Sequence, residues 1–291
     1  MTPAASLSTR RSVTQLIHGL GALAGRYDTL LCDVWGVIHN GRESFPASCE
    51  ALIRWRAEVG PVVLISNAPR PEGSVAIQLD GLGVPRAAWT AIATSGDVSR
   101  GLLAARAPGP AFRIGPAKDD PLYEGLGLTF SGPDDAAFVA CSGPNDEDVE
   151  TPEDYRGVLI LAAARGLEMI CANPDLVVQR GDRLIYCAGA LARLYEELGG
   201  KVIQAGKPFA PIYDLALERA GGPDRARVLT IGDGLLTDLA GARAQNLSAL
   251  FVADGVHAAE ALDASGRIDE AGLGRLLAAT QPAFAIQTLT W

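Results

Sequence analysis

Short apolar runs alternate with amphipathic stretches along most of the chain. "TLLCDV" (29–34), "PVVLISNA" (61–68) and "WTAIATS" (89–95) are compact and aliphatic, the pattern of strands covered on both faces. Between and after them lie three stretches with helical character. In "SFPASCEALIRWRAEV" (44–59), Leu52, Ile53 and Trp55 fall at helical spacing. "PEGSVAIQLDGLG" (71–83) has Pro at its start and Gly past its end, and "GDVSRGLLAARA" (96–107) follows the third strand directly. Such alternation predicts parallel strands joined by crossover helices.

The middle of the chain differs. Between about 108 and 188 come Pro and Gly punctuation and the short runs "AFRIG", "LTFSG", "AFVACSG", "EMICANP" and "RLIYCAG". The clearest helix start there is "TPEDY", where Thr151 and Asp154 form a capping-box pattern around Pro152. From about 190 the first style returns with a helical "ALARLYEELGG", a helix from Pro211, and the strands "RVLTIGD" and "SALFVAD". The expected fold is therefore α/β: a doubly wound, Rossmann-like parallel sheet (residues 28–107 and 189–291) interrupted by an inserted α/β cap (108–188). Residues 1–27 are expected as a helical extension, with "STRRSVTQLIHGLGALAG" read as a short amphipathic helix. The terminal "AFAIQTLTW" is expected as an edge segment. Three "GLG" tripeptides lack the G-x-G-x-x-G continuation and predict turns rather than a dinucleotide site.

Composition narrows the partners. Of 291 residues, 48% are apolar and 20% charged, enough for a proper core. The net charge of −9, with no basic cluster, argues against a nucleic-acid partner or an anionic membrane surface. Any anion must be held locally. The five scattered cysteines never form C-x-x-C, which argues against a disulfide framework or zinc site and fits a reducing cytoplasm. No apolar run approaches the ~18 residues of a membrane span.

Ligands of an open α/β sheet bind at the carboxyl ends of its strands. The polar residues just after the apolar runs are Asp33, then Ser66 and Asn67, then Asp233 with Asp238 five positions on. Lys207 stands between Gly206 and Pro208 before a helix. Three carboxylates make a hard oxygen site suited to Mg²⁺. Ser66 and the N–H groups after it can grip phosphate oxygens, Lys207 can cancel remaining charge, and an Asp can attack phosphorus. Positioning and charge cancellation are most of what phosphoryl transfer needs.

In these residues the chain resembles the haloacid dehalogenase superfamily of aspartate-nucleophile phosphohydrolases. "LLCDVWGV", "VVLISNA", "QAGKP" and "TIGDGLLTD" match its four motifs in order, over roughly residues 28 to 256. The insertion, with "CANPDLVV" inside it, resembles the class IIA cap of pyridoxal-phosphate and p-nitrophenyl-phosphate phosphatases. The resemblance implies that Asp33 is the nucleophile and a Mg²⁺ ligand, and that Ser66, Asn67 and Lys207 bind the phosphoryl group. It implies Asp233 as a metal ligand, Asp238 as a ligand through water or an orienting group, and the main-chain carbonyl of Trp35 as a further ligand. Asn173 and Asp175 are expected to build a turn or to contact substrate from the cap. The implied partner is a small phosphorylated metabolite, and class IIA relatives often pair through their caps into homodimers.

One position departs from the family. Its phosphatases read D-x-D at the first motif, and the second Asp protonates the leaving alcohol and later activates water. This chain reads Asp33-Val34-Trp35. An indole N–H is no acid or base near neutral pH, and losing a general acid–base forfeits ~10²–10⁴-fold in rate. Several outcomes stay open. The protein hydrolyses substrates with good leaving groups; another residue (His39, Asp97 or Asp175) supplies the proton; it transfers the phosphoryl group to an acceptor other than water; or it binds a phosphorylated ligand without turnover.

Overall fold

A computed structural model describes residues 14–180 and 183–291. Its strands, in chain order, are β1 (Gln15–Leu16), β2 (Thr29–Asp33), β3 (Val62–Ser66), β4 (Ala91–Thr94), β5 (Ala111–Ile114), β6 (Phe138–Cys141), β7 (Glu168–Cys171), β8 (Val177–Arg180), β9 (Arg183–Tyr186), β10 (Lys201–Gln204), β11 (Val228–Gly232), β12 (Ser248–Val252) and β13 (Phe284–Ile286). The larger sheet has the order β1-β13-β12-β11-β2-β3-β4, and all its pairs are parallel. Strand residues alternate between two cores. Leu30, Cys32, Leu64, Ile231 and Leu250 pack on one face with Trp55; Leu31, Val63, Ile65 and Phe251 pack on the other with Tyr213. A sheet buried on both faces reads in sequence as continuous apolar runs.

The chain winds outward from β2 through β3 to β4, then returns at β11 on the other side of β2. That reversal opens a crevice at the carboxyl ends of β2 and β11. In register, Cys32 lies beside Ile231, so Asp33 and the residues after Gly232 leave the sheet side by side.

A second, four-stranded parallel sheet (β10-β7-β6-β5) and the antiparallel β8–β9 hairpin are inserted between β4 and β11. The capping box forms as expected: the Asp154 carboxylate accepts from the Thr151 N–H at 2.8 Å, ahead of helix Arg156–Ala164. The inserted unit extends past residue 188, however. Helix Ala188–Glu197 buries Leu191, Ala192 and Tyr195 in the core of the second sheet, and β10 pairs with β7. β10 is only four residues long and half-buried, so "KVIQ" carries a weak strand signal.

Two more expectations need correction. Residues 1–13 of the expected helical extension lie outside the described residues. From 14 onward the chain forms β1 on β13 and a 3₁₀ turn, Leu20–Leu23, instead of an amphipathic helix. Gly19 and Gly21 pack against Trp291 there, a Cβ at Gly19 falling 2.3 Å from its carbonyl oxygen, and two glycines in three residues weaken a helix. Consequently β13, within "AFAIQTLTW", lies between β12 and β1 and is not an edge. No helix among the described residues is long and apolar enough to cross a membrane.

Candidate active site

The crevice brings the strand-end residues together. Asp33, Asp233 and Asp238 are all buried and offer carboxylate oxygens that lie within 4.8 Å of one another. Lys207 reaches between them. Its Nζ donates to Asp33 Oδ1 at 2.5 Å and to Asp238 Oδ1 at 2.7 Å. Two of the carboxylates are also held from behind by backbone N–H groups. Asp233 Oδ2 accepts from the Val256 N–H at 2.8 Å, and Asp238 Oδ2 accepts from the Gly234 N–H at 3.1 Å. Asp238 sits on a single π-helical turn, Leu235–Leu239, a distortion that often marks functional positions.

Close backbone approach makes this possible. A Cβ at Gly36 or at Gly255 would fall 2.2 Å from Asp233 Oδ2, and Gly36 has φ +83° besides. Only glycine fits there at no cost.

The electrostatics follow from three carboxylates and one ammonium in a buried crevice. Burial pushes the Asp33 carboxyl well up, and the Asp238 charge adds to that push. Burial and Asp238 likewise raise Asp233 to about 7. Burial works against the Lys207 ammonium, but the carboxylates of Asp238, Asp33 and Asp175 outweigh it and hold Lys207 charged. With the three acids ionised, the set carries two net negative charges, and a divalent cation matches that balance. A set of hard oxygen donors around such a charge fits Mg²⁺.

Ser66 ends β3 at the same edge, and Asn67 follows it. Ser66 Oγ accepts from the Ala68 N–H, a bond that does not use its own hydroxyl proton. The Asn67 side chain is engaged on every side. Its Nδ2 donates to Asp175 Oδ1 (2.8 Å) and to the Lys207 carbonyl (3.2 Å), and its Oδ1 accepts from the Lys207 N–H (2.6 Å). Asn67 thus braces the lysine loop, and its side chain has no donor left for a phosphate.

The cap stands over this floor. A cavity of about 1300 Å³ lies between them, lined from below by Asp33, Lys207 and Asp233 and from above by Asp175, Gln179 and Ile185. Asn173 makes an Asx-type turn, its Oδ1 accepting from the Asp175 N–H at 3.0 Å, while the Asp175 carbonyl accepts from the Gly189 N–H. This turn rests on Gly206, where a Cβ would fall 2.5 Å from Asn67 Oδ1 and 2.7 Å from Pro174 Cδ. Both readings of Asn173 and Asp175 therefore apply: the first builds the turn, and the second lines the cavity.

Trp35 spans the gap. Its indole Nε1 donates to the Gln179 carbonyl of β8 at 2.5 Å, and its ring meets that of His39 edge-on at 5.0 Å. His39 is buried, and its Nδ1 accepts from the Gly41 N–H. Burial lowers it to about 4, so its imidazole is neutral near pH 7 and is a poor proton donor. Asp97 does not line the cavity. It accepts from the Glu72 N–H and pairs with Arg219 at 2.9 Å, at the first turn of helix Ser95–Ala104. Sequence reasoning missed the Val256 N–H and the Gln179 carbonyl. Main-chain groups carry no residue signature, although Gly255, three residues past the end of β12, is a usable hint.

Comparison with known proteins identifies the family. A family model described as haloacid dehalogenase-like hydrolase matches residues 30–129, and a second HAD hydrolase-like model matches residues 204–277. None of the curated proteins matches the chain. A solved haloacid dehalogenase-like hydrolase from Brucella suis 1330 is 44% identical, covers 94% of this chain and 100% of its own, and superposes with a TM-score of 0.85. A p-nitrophenyl phosphatase from Archaeoglobus fulgidus (20% identity, 90% and 96% coverage, TM-score 0.67) shares the fold, cap included. So does NagD from E. coli K-12 (23%, 90% and 96%, TM-score 0.64). The chain belongs to the haloacid dehalogenase-like hydrolase family.

Proposed function

We propose that this hydrolase is a Mg²⁺-dependent phosphohydrolase acting on a small phosphorylated metabolite through an aspartyl-phosphate on Asp33. The observation that carries this reading is Lys207 bonded to both Asp33 and Asp238, with Asp233 completing an oxygen cluster at the sheet's reversal point. Asp33 is the one carboxylate of the three that ends β2, facing the cavity beside Ser66 and Lys207. In this reading its free oxygen attacks phosphorus while the Ser66 hydroxyl and the Lys207 ammonium hold the phosphoryl oxygens. Asn67 acts at one remove, by fixing the lysine loop.

Asp33 and Asp233 would hold the Mg²⁺ directly, with Asp238 and the Trp35 carbonyl as further oxygen donors. When bound, the ion supplies charge neutralisation at the phosphoryl oxygens. The cap excludes water from the cavity and selects the leaving group. Relatives in fold named as p-nitrophenyl phosphatases support a phosphate ester as substrate.

The test is release of phosphate from p-nitrophenyl phosphate with Mg²⁺ and with excess chelator, for the natural chain and for Asp33→Asn. Mg²⁺-dependent release that the variant loses by at least ~10³-fold is expected. Stabilisation of the protein by phosphorylated metabolites without any release would instead favour the reading as a binding protein.

A further inference from the structure

The proposed hydrolysis needs a proton for its leaving alcohol, and the position that supplies it in relatives is Trp35 here. The indole can neither give nor take that proton, and its N–H is already bonded to the Gln179 carbonyl. His39 lines the cavity but is neutral and packed edge-on against the indole, and Asp97 is outside the cavity. Asp119 and Glu147 line the cavity but are paired with Arg70, Lys118 and Arg180.

We propose that Asp175, carried by the cap, is the acid–base residue of this hydrolase. The inference rests on the phosphohydrolase reading above. Three observations support it. Asp175 lines the cavity and takes part in no ion pair among the described residues, its bonded side-chain partner being the neutral Asn67 amide. That amide also grips the Lys207 main chain from both sides, so Asp175 stands at the phosphate end of the cavity. Its backbone is fixed by the Asn173 and Gly189 bonds, and the turn is seated on Gly206, so the carboxyl is held in place rather than carried on a loose loop.

The surroundings suit a proton carrier. Burial raises the Asp175 carboxyl; the Lys207 ammonium and the Asn67 bond pull it down, and Asp238 pushes it up again. The Cys187 and Cys171 thiols feel its charge as well, and both are themselves raised by burial. A carboxyl shifted upward keeps more of its acid form near neutral pH.

The two steps balance. As an Asp33 oxygen bonds to phosphorus, the bond from phosphorus to the leaving oxygen breaks and its electron pair stays on that oxygen. The Asp175 carboxyl delivers its proton there, releasing the alcohol. The Asp175 carboxylate then takes a proton from water as the water oxygen bonds to phosphorus. The bond from phosphorus to Asp33 breaks, its electron pair returns to the carboxylate, and inorganic phosphate leaves.

The experiment compares the natural chain, Asp175→Asn and Asp175→Glu on p-nitrophenyl phosphate and on simple alkyl phosphates with Mg²⁺, after melting temperatures confirm that each is folded. Asp175→Asn is expected to lower turnover of alkyl phosphates by ~10²–10⁴-fold. On p-nitrophenyl phosphate, whose leaving group needs no proton, it should show a rapid burst of about one nitrophenolate per enzyme and then slow turnover. The high-pH limb of kcat/KM for alkyl phosphates should vanish in Asp175→Asn and return in Asp175→Glu. Equal losses on both substrates without a burst would overturn the assignment and leave Asp175 as a brace for Asn67. Unchanged turnover on both would overturn it as well. If the natural chain releases no phosphate from any of these esters, this inference falls together with the phosphohydrolase reading. Release by the natural chain with an unaffected variant removes this inference alone.

Discussion

The floor and the roof of the cavity are built differently. On the floor, Asp33, Asp233, Asp238 and Lys207 are buried charges, Lys207 locking Asp33 and Asp238, and backbone N–H groups holding Asp233 and Asp238. The roof is joined to the floor by the hydrogen bonds of Trp35 to the Gln179 carbonyl and of Asn67 to Asp175, and the two units by two ion pairs, Arg70 with Asp119 at 3.6 Å and Arg106 with Glu168 at 2.8 Å, each with a partly exposed arginine and so screened by solvent. Removing one partner of a buried charge pair costs ~3–5 kcal/mol, whereas a neutral hydrogen bond contributes about 1 kcal/mol. The floor is therefore the more firmly held of the two, which suits the phosphate end of the cavity proposed above. The roof can part from it, as a cap must if substrate is to enter.

The largest effect should come from striking Lys207, the cation bonded to the floor's carboxylates. Lys207→Met leaves Asp33 and Asp238 facing each other uncompensated; a loss of ~3–5 kcal/mol in urea unfolding is expected, partly restored by Mg²⁺. A midpoint unchanged from the natural chain would erase the contrast between floor and roof.

Two glycines sharpen it. Gly36 and Gly41 have nearly the same positive φ, but a Cβ at Gly36 meets Asp233 whereas one at Gly41 meets the Trp35 ring at 2.5 Å. Strain being equal, Gly36→Ala should weaken Mg²⁺ affinity by ~10–100-fold in calorimetric titration and Gly41→Ala should not. Equal effects would show that strain alone is at work.

The pH dependence of His39 probes the segment linking the two. Its folded value of about 4 lies below the unfolded 6.5, so the unfolded chain binds the proton first. Stability from this group is complete above pH 6.5 and falls as pH drops toward 4, by up to about 3 kcal/mol. His39→Gln should remove that part of the acid loss, read as the difference between the two chains' urea midpoints at pH 7.5 and 4.5. The smallest effect is expected at the roof. Trp35→Phe deletes one N–H bond, costs about 1 kcal/mol or less, and should speed proteolytic cleavage of the β8–β9 hairpin without altering Mg²⁺ affinity. A loss of Mg²⁺ affinity there would place the indole on the floor instead.

Much of the floor was legible in the sequence because strand ends are. A doubly covered parallel strand announces itself as an apolar run, and the first polar residue after it marks the carboxyl edge; this places Asp33, Ser66 and Asp233 without coordinates. The support behind them was not legible. The Val256 N–H is a main-chain group, and the π turn under Asp238 breaks the usual helical spacing. Asn67 shows a deeper limit. Its residue type and position match a phosphate contact, yet its amide is used to brace Lys207 and Asp175, partners 140 and 108 positions away. The cap's far boundary was missed because β10 is short and half-buried, and β1 because two strand residues give no period at all.

Gly206 has a consequence of its own. The seam between the two units is one hydrogen atom wide at that point, with the Asn67 amide, the Pro174 ring and the Ser95 hydroxyl crowding where a methyl would go. Any heavier residue would act as a wedge and leave the lid permanently ajar. How tightly the molecule shuts is thereby governed by the absence of a single carbon.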